Sequence, residues 1–175
     1  DLRYPDIREE MEIVMKKLEE YVRSIPDFPE KGIIFRDVTS VIQDADGLHL
    51  AIDGIQNILD GVDFDVVVGP ESRGFIFGVP VAYNMHKAFV PVRKKLPCET
   101  VSQEYALEYG TATIEMHKDS IRPGQKVVIV DDLIATGGTT EAIIKLVEQL
   151  GGKIVKIAFL MELEGLKGRD KLAGY

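Results

Sequence analysis

Tryptophan is absent from the 175 residues, and cysteine occurs once, at Cys98. A single thiol excludes an internal disulfide and any cysteine-rich zinc site, and such usage suits a reducing compartment. His49, His86 and His117 show no metal-ligand spacing, so structural or surface duty is expected of them. Basic residues are in the minority: 21 Lys and Arg stand against 29 Asp and Glu, a net charge of −8. That balance argues against nucleic acid or an anionic membrane surface as partner. No apolar run approaches the ~20 residues needed to span a bilayer. The opening residues, from Asp1, lack the basic, apolar, small-residue order of a secretory leader. A cytoplasmic globular protein is expected.

Familiar nucleotide motifs are missing too. Gly69-Pro-Glu-Ser-Arg-Gly74 has the glycine spacing of a P-loop, but Phe75 and Ile76 stand where Lys and Ser or Thr are required. No G-x-G-x-x-G follows a strand, which leaves a dinucleotide fold without support. A phosphoacceptor receiver needs an acid at the end of an earlier strand, and Val68 leads only to Gly69-Pro70-Glu71.

What is present is enough for a core: 45% hydrophobic and 29% charged residues over a length that suits one domain, 1–175. Met11, Val14, Met15, Leu18, Val22 and Ile25 recur at helical spacing and predict a helix from Arg8 to Ile25. Pro26 and Pro29 stop it and open an irregular segment, Asp27 to Asp37. A second amphipathic helix follows Asp44 or Asp46 as N-cap, with Leu48 through Leu59 supplying its apolar face. Asp65 to Gly69 is a short apolar run, as in a strand buried on both faces. A helix-like stretch from Gly74 to His86 has Pro80 in its first turn or kinked by it, and Ala88 to Val92 is the next strand. Glu99–Leu107 and Thr111–His117 alternate in period two around Glu108-Tyr109-Gly110, the pattern of an exposed hairpin. Lys126 to Val130, a helix over Glu141–Leu150 and a strand over Lys153–Leu160 complete the pattern. Strands alternating with helices imply an α/β fold, a mostly parallel sheet flanked by helices.

The chemistry concentrates in Val127-Val-Ile-Val-Asp-Asp-Leu-Ile-Ala-Thr-Gly-Gly-Thr-Thr140. A buried strand runs into two acids, then a small glycine-containing loop, then a helix. In open α/β sheets, ligands bind beyond the carboxyl ends of the strands. Ala135-Thr-Gly-Gly-Thr139 lets backbone amides turn toward one point at a helix N-terminus, where the dipole favours an anion such as a phosphate monoester. Asp131 and Asp132 would repel phosphate; sugar hydroxyls or a hydrated Mg²⁺ are their expected partners.

Those fourteen residues resemble the phosphoribosyl-pyrophosphate motif of the type I phosphoribosyltransferases. Ile25-Pro-Asp-Phe-Pro29 with Gly32-Ile-Ile-Phe-Arg-Asp37 is similar to the base-binding hood of that family's adenine-using branch. Glu71-Ser-Arg-Gly-Phe-Ile-Phe-Gly78 resembles its pyrophosphate loop and Leu107-Glu-Tyr-Gly110 its catalytic hairpin. Glu162-Leu163 with Leu166-Lys-Gly-Arg169 resembles its C-terminal segment. Arg93-Lys94-Lys95-Leu96-Pro97 is two residues shorter than the family's usual stretch.

The resemblance implies transfer of a phosphoribosyl group from phosphoribosyl pyrophosphate to adenine, giving AMP and pyrophosphate. Transfer to another purine base, or a regulator that only senses phosphoribosyl pyrophosphate, are the rival readings. By resemblance, Asp131 and Asp132 hold the ribose, and Ala135, Thr136, Gly137, Gly138 and Thr139 hold the 5′-phosphate. Ser72, Arg73, Arg93, Lys94 and Lys95 face the pyrophosphate, with Mg²⁺ held mainly by the substrate. Ile34, Phe35 and Arg36 contact adenine. Glu108 acts near purine N7 as the catalytic acid/base, a role that requires its carboxyl to leave water when the loop closes. The family also implies a hood over about 1–40, a flexible loop and hairpin over about 93–117, and a homodimer.

Overall fold

The computed structural model describes residues 18–107 and 110–175 and divides into two compact units, the division falling after Gly54. In the first unit, β1 (Arg23–Pro26) pairs antiparallel with β2 (Ile34–Asp37), Ile25 lying opposite Phe35. The turn between them is tied by its own groups: Asp27 Oδ1 accepts the Gly32 N–H at 2.7 Å, and the Phe28 N–H donates to the Ile33 carbonyl at 3.2 Å. A one-turn helix α1 (Thr39–Ile42) leads to α2 (Ala45–Leu59). Asp44 Oδ1 accepts the N–H groups of Asp46 and Gly47, at 2.9 and 3.0 Å, so Asp44 is the cap the sequence offers.

Two expectations fail in this unit. Helix persists only through Leu18–Tyr21 before the chain turns into β1; the part from Arg8 to Lys17 lies outside the described residues. The β-branched Ile25 pairs across the ladder with Phe35, and cross-strand pairing outweighs the helical spacing. The segment expected to be irregular up to Asp37 ends instead in β2.

The second unit is a four-stranded parallel sheet in the order β4-β3-β7-β8: Ala88–Val92, Val66–Pro70, Lys126–Ile134 and Lys153–Glu162. β3 is buried at every residue, because both its edges are paired and both its faces are covered. Side chains alternate along it. Val66 and Val68 join Val127 and Ile129 against Ile143, Leu146 and Val147 of α4 (Gly138–Gln149). α3 (Arg73–Asn84) packs on β3, β4 and β7, with Phe77 and Val81 fully buried. Each such side chain contributes about 1.5–3 kcal/mol when fully removed from water. The hairpin β5 (Thr100–Ala106) and β6 (Thr111–His117) forms where the alternation predicts it.

Boundaries shift in informative ways. β7 continues four residues past Val130, so Asp131 and Asp132 lie within a paired strand rather than beyond its end: Asp131 is opposite Phe159 of β8. α4 begins at Gly138, three residues before the expected Glu141, because Gly137 adopts a left-handed φ of 82° and turns the chain into the helix. Pro80 is in the interior of α3, not its first turn; the carbonyl it leaves without a donor belongs to Ile76, on the exposed side. After β8, two short 3₁₀ helices, Glu164–Leu166 and Gly168–Leu172, follow. Among the described residues, no helix is long and apolar enough to cross a membrane, and no group of three or more His, Cys, Asp or Glu could hold a metal ion.

Candidate active site

At the carboxyl end of β7, a cavity of about 390 Å³ opens between the loop that enters α4 and the turn that enters α3. Asp131 and Asp132 form its floor, 9% and 4% exposed. Ala135, Thr136, Gly137, Gly138 and Thr139 make one wall; Ser72 and Arg73 stand on the other. Nine of the residues picked from sequence therefore share one cavity.

Each wall has a local cause. With glycine at the N-cap, no side chain caps α4, and the first-turn amides have no acceptor within the helix. Those amides and the helix dipole place positive partial charge on the loop side of the cavity. Opposite, Gly74 lets α3 start against the acids: a Cβ there would lie 2.7 Å from Pro70 Cδ and 3.1 Å from Asp131 Oδ1. The peptide between Glu71 and Ser72, just ahead of this helix, is cis.

The acids are electrostatically distinct. Burial, followed by the adjacent Asp132 charge, pushes the Asp131 carboxyl well above the usual carboxylate range. Asp131 Oδ1 accepts the Asp132 N–H at 2.8 Å. Arg73 answers part of the charge: its Nε is 2.5 Å from Asp132 Oδ2. The pair is an ion contact rather than an aligned hydrogen bond, and among the described residues no donor is aimed along a hydrogen-bond direction at that buried oxygen.

The Phosphoribosyl transferase domain model matches residues 42–173. The chain belongs to the phosphoribosyl transferase family. An adenine phosphoribosyltransferase from Lachnoclostridium phytofermentans is 80% identical over 163 residues, covering 92% of this chain and 94% of that one. The crystal structure of adenine phosphoribosyltransferase from Thermoanaerobacter pseudethanolicus superposes with a TM-score of 0.88 at 53% identity, over 92% of this chain and 95% of that chain. A Saccharomyces cerevisiae adenine phosphoribosyltransferase, crystallised with an imino-altritol bisphosphate and adenine, gives a TM-score of 0.85 at 39% identity, over 91% and 94% of the two chains. The parallel sheet with its flanking helices is the type I phosphoribosyltransferase fold.

Within that family fold, not every residue picked from sequence meets the cavity. Arg93, Lys94 and Lys95 do not line it. Arg93 and the Lys94 backbone are tied to Glu71, which does line it: its carboxylate accepts from the Lys94 N–H at 2.8 Å and from Arg93 Nε at 3.0 Å, which holds the Glu71 carboxyl below its ordinary value. Glu115 accepts the Leu96 N–H at 2.9 Å, so the short basic loop is pinned at both ends. Ile34, Phe35 and Arg36 belong to the first unit, where Ile34 is 59% exposed and Phe35 packs edge-on against Phe28 at 5.3 Å between ring centres. Arg36 donates to Ser24 Oγ. Glu108 lies outside the described residues.

The cavity also has a lining residue that sequence reasoning passed over, Tyr105. The signal was the hairpin's own alternation: Val101, Gln103 and Tyr105 share a face of β5, Val101 is buried, and Tyr105 packs against the same core.

Proposed function

We propose that the chain transfers the phosphoribosyl group of phosphoribosyl pyrophosphate to adenine, releasing pyrophosphate and giving AMP, a purine-salvage reaction carried out by one phosphoribosyltransferase domain in the cytoplasm. The observation that carries the reading is the shared cavity in which two buried acids face an uncapped helix start and Arg73. An uncapped amide cluster takes a phosphate monoester, paired carboxylates take vicinal hydroxyls, and a guanidinium takes a second phosphate group. A sugar bearing phosphate at both ends satisfies all three.

In this reading Ala135, Thr136, Gly137, Gly138 and Thr139 hold the 5′-phosphate, and Asp131 and Asp132 accept from the ribose hydroxyls. Ser72 and Arg73 receive the diphosphate, and Arg93, Lys94 and Lys95 supply further positive charge. As the bond from C1′ to the diphosphate oxygen breaks and the bond to adenine N9 forms, positive charge grows on the ribose and negative charge on the leaving group. The acids below and Arg73 opposite match those signs, which is electrostatic stabilisation by groups already in position. Adenine lies against the half-buried Phe35, backbone groups around Ile34 and Arg36 read its edge, and Glu108 exchanges the proton at the base. Mg²⁺ fits the donor set as an ion carried by the substrate. Asp132 Oδ2 is an oxygen at which no donor among the described residues is aimed along a hydrogen-bond direction, and Asp131 and Asp132 are the carboxylates that would reach the ion's water shell. When bound, the ion neutralises charge on the diphosphate.

The chain acts as a homodimer in this proposal. Ile76, Val79 and Tyr83 form an exposed apolar stripe along α3, Tyr83 being 84% exposed, and a second copy is the occupant that suits it. Sedimentation at micromolar concentration should give twice the chain mass. A coupled assay of pyrophosphate release tests the reaction. Adenine with phosphoribosyl pyrophosphate and Mg²⁺ should turn over, and omission of any component should abolish release. Turnover with hypoxanthine, guanine or xanthine but not adenine would reassign the base, and binding of phosphoribosyl pyrophosphate with no turnover on any base would make the chain a sensor.

A further inference from the structure

The loop Ala135–Thr139 is also met by a segment that does not line the cavity, and the closest approaches there are backbone to backbone. Gly168, buried at the start of the second 3₁₀ helix, lies against the loop so closely that a Cβ would enter the Ala135 carbonyl oxygen. The same Cβ would lie 2.9 Å from Ile134 Cγ1 and 3.1 Å from the Gly137 nitrogen. The contact is mutual: a Cβ on Gly137 would lie 2.6 Å from the Gly168 carbonyl oxygen. Both obstacles are backbone, so neither can rotate away as a flexible side chain would.

The segment that brings Gly168 there is anchored on either side of it. Upstream, the Leu163 N–H donates to the Ile134 carbonyl at 3.0 Å, and Arg169 Nε spans both oxygens of Glu162 at 2.8 and 2.7 Å. Downstream, Leu172 is 8% exposed and belongs to the core cluster shared with α4. The segment is thus fixed to the end of β7 and to α4, the two elements between which the loop hangs.

We propose that Gly168 is a positioning residue for the 5′-phosphate: the C-terminal strap 164–172 braces the loop from behind and sets where its amides converge. This rests on the reading of that loop as the phosphate site. Gly168 itself has no left-handed φ, so alanine there is tolerated by its own backbone, and the added methyl acts by pushing on Ala135 and Gly137. Displacement of an anion site by about 1 Å costs on the order of 10- to 100-fold in a function that depends on it.

The experiment compares AMP with adenosine, which lacks only the phosphate, by calorimetric titration on the full chain. Gly168→Ala should weaken AMP about 10- to 100-fold and raise the KM for phosphoribosyl pyrophosphate alike, with adenosine affinity and the KM for adenine unchanged within about 2-fold. Gly165→Ala, in the same strap with nothing within 4 Å of the added methyl, should change neither. If Gly168→Ala does not fold, Leu172→Ala tests the brace without adding an atom near the loop, and a loss selective for AMP over adenosine supports it. AMP affinity at the wild-type level in Gly168→Ala, or equal losses for AMP and adenosine in either variant, overturns the proposal. Wild-type protein that binds AMP no more tightly than adenosine overturns the phosphate reading of the loop itself.

Discussion

Replacing Arg73 by alanine separates the two roles its guanidinium can hold. Its Nε lies 2.5 Å from Asp132 Oδ2; in the proposed reaction it serves the diphosphate. A charge-assisted bond to phosphate contributes about 1.5–3 kcal/mol. The ion pair surrendered in exchange is between a half-exposed guanidinium and a buried acid, and solvent screening on the arginine side limits it to about 1 kcal/mol or less. With about 1 kcal/mol given up, the net loss in Arg73→Ala is about 0.5–2 kcal/mol, a 2- to 30-fold rise in the KM for phosphoribosyl pyrophosphate. The same variant removes a positive charge that offsets the elevation of the Asp131 pKa. Proton uptake by the acid pair should therefore extend to higher pH, and the acid limb of kcat/KM should move the same way. Initial rates at fixed adenine, with phosphoribosyl pyrophosphate varied across pH 5 to 9, measure both effects. An unchanged KM together with an unchanged acid limb would refute the argument, since it would mean that Arg73 touches neither the diphosphate nor the acids in solution.

Other outcomes follow from the same geometry. Asp131→Asn should raise the thermal midpoint at neutral pH and abolish turnover. A carboxyl whose folded pKa lies above its unfolded value loses stability as pH rises through that window, so the ionised pair is a cost at pH 7 that the amide removes. The gain should vanish below the unfolded carboxyl's range, which melting at acid and neutral pH checks. Glu108→Ala should lower kcat by about 10²- to 10⁴-fold while leaving affinity for phosphoribosyl pyrophosphate nearly unchanged; full turnover in that variant removes Glu108 from the mechanism. Phe77→Ala, at a fully buried site under α3, should cost about 3–5 kcal/mol in chemical denaturation.

The parts of the fold that were legible in the sequence are those where one physical signal acts alone. β3 announces itself because a strand paired on both edges and covered on both faces has no polar position to place, and Val66, Val67 and Val68 are fully buried or nearly so. Asp44 reads as a cap because its carboxylate has two amides within reach. The acids and the glycine loop were found together because strand, loop and helix start are contiguous in sequence. What escaped was set by distant partners. Ile25 fits a helix until Phe35 is placed opposite it. The ion pair of Arg93 with Glu71 joins residues 22 positions apart, and no local pattern marks it. Gly168 enters the sequence reading only as part of the Leu166–Arg169 segment; the approach of the Ala135–Gly137 backbone is what gives it a use of its own.

The burial of β3 on both edges also bears on synthesis. Its pairing with β4 completes a strand–helix–strand unit soon after Val92 leaves the ribosome, but its other neighbour, β7, is roughly sixty residues further along. At a translation rate of about 5–20 residues per second, one side of the Val66–Val68 ladder waits about 3–12 s for its complement. During that interval the nascent chain presents an open apolar edge, which is covered by the strand that carries Asp131 and Asp132, while β8 has still to pair on the far side of that strand. The strand that covers the second edge of β3 and the strand that brings the two buried acids to the cavity are the same one.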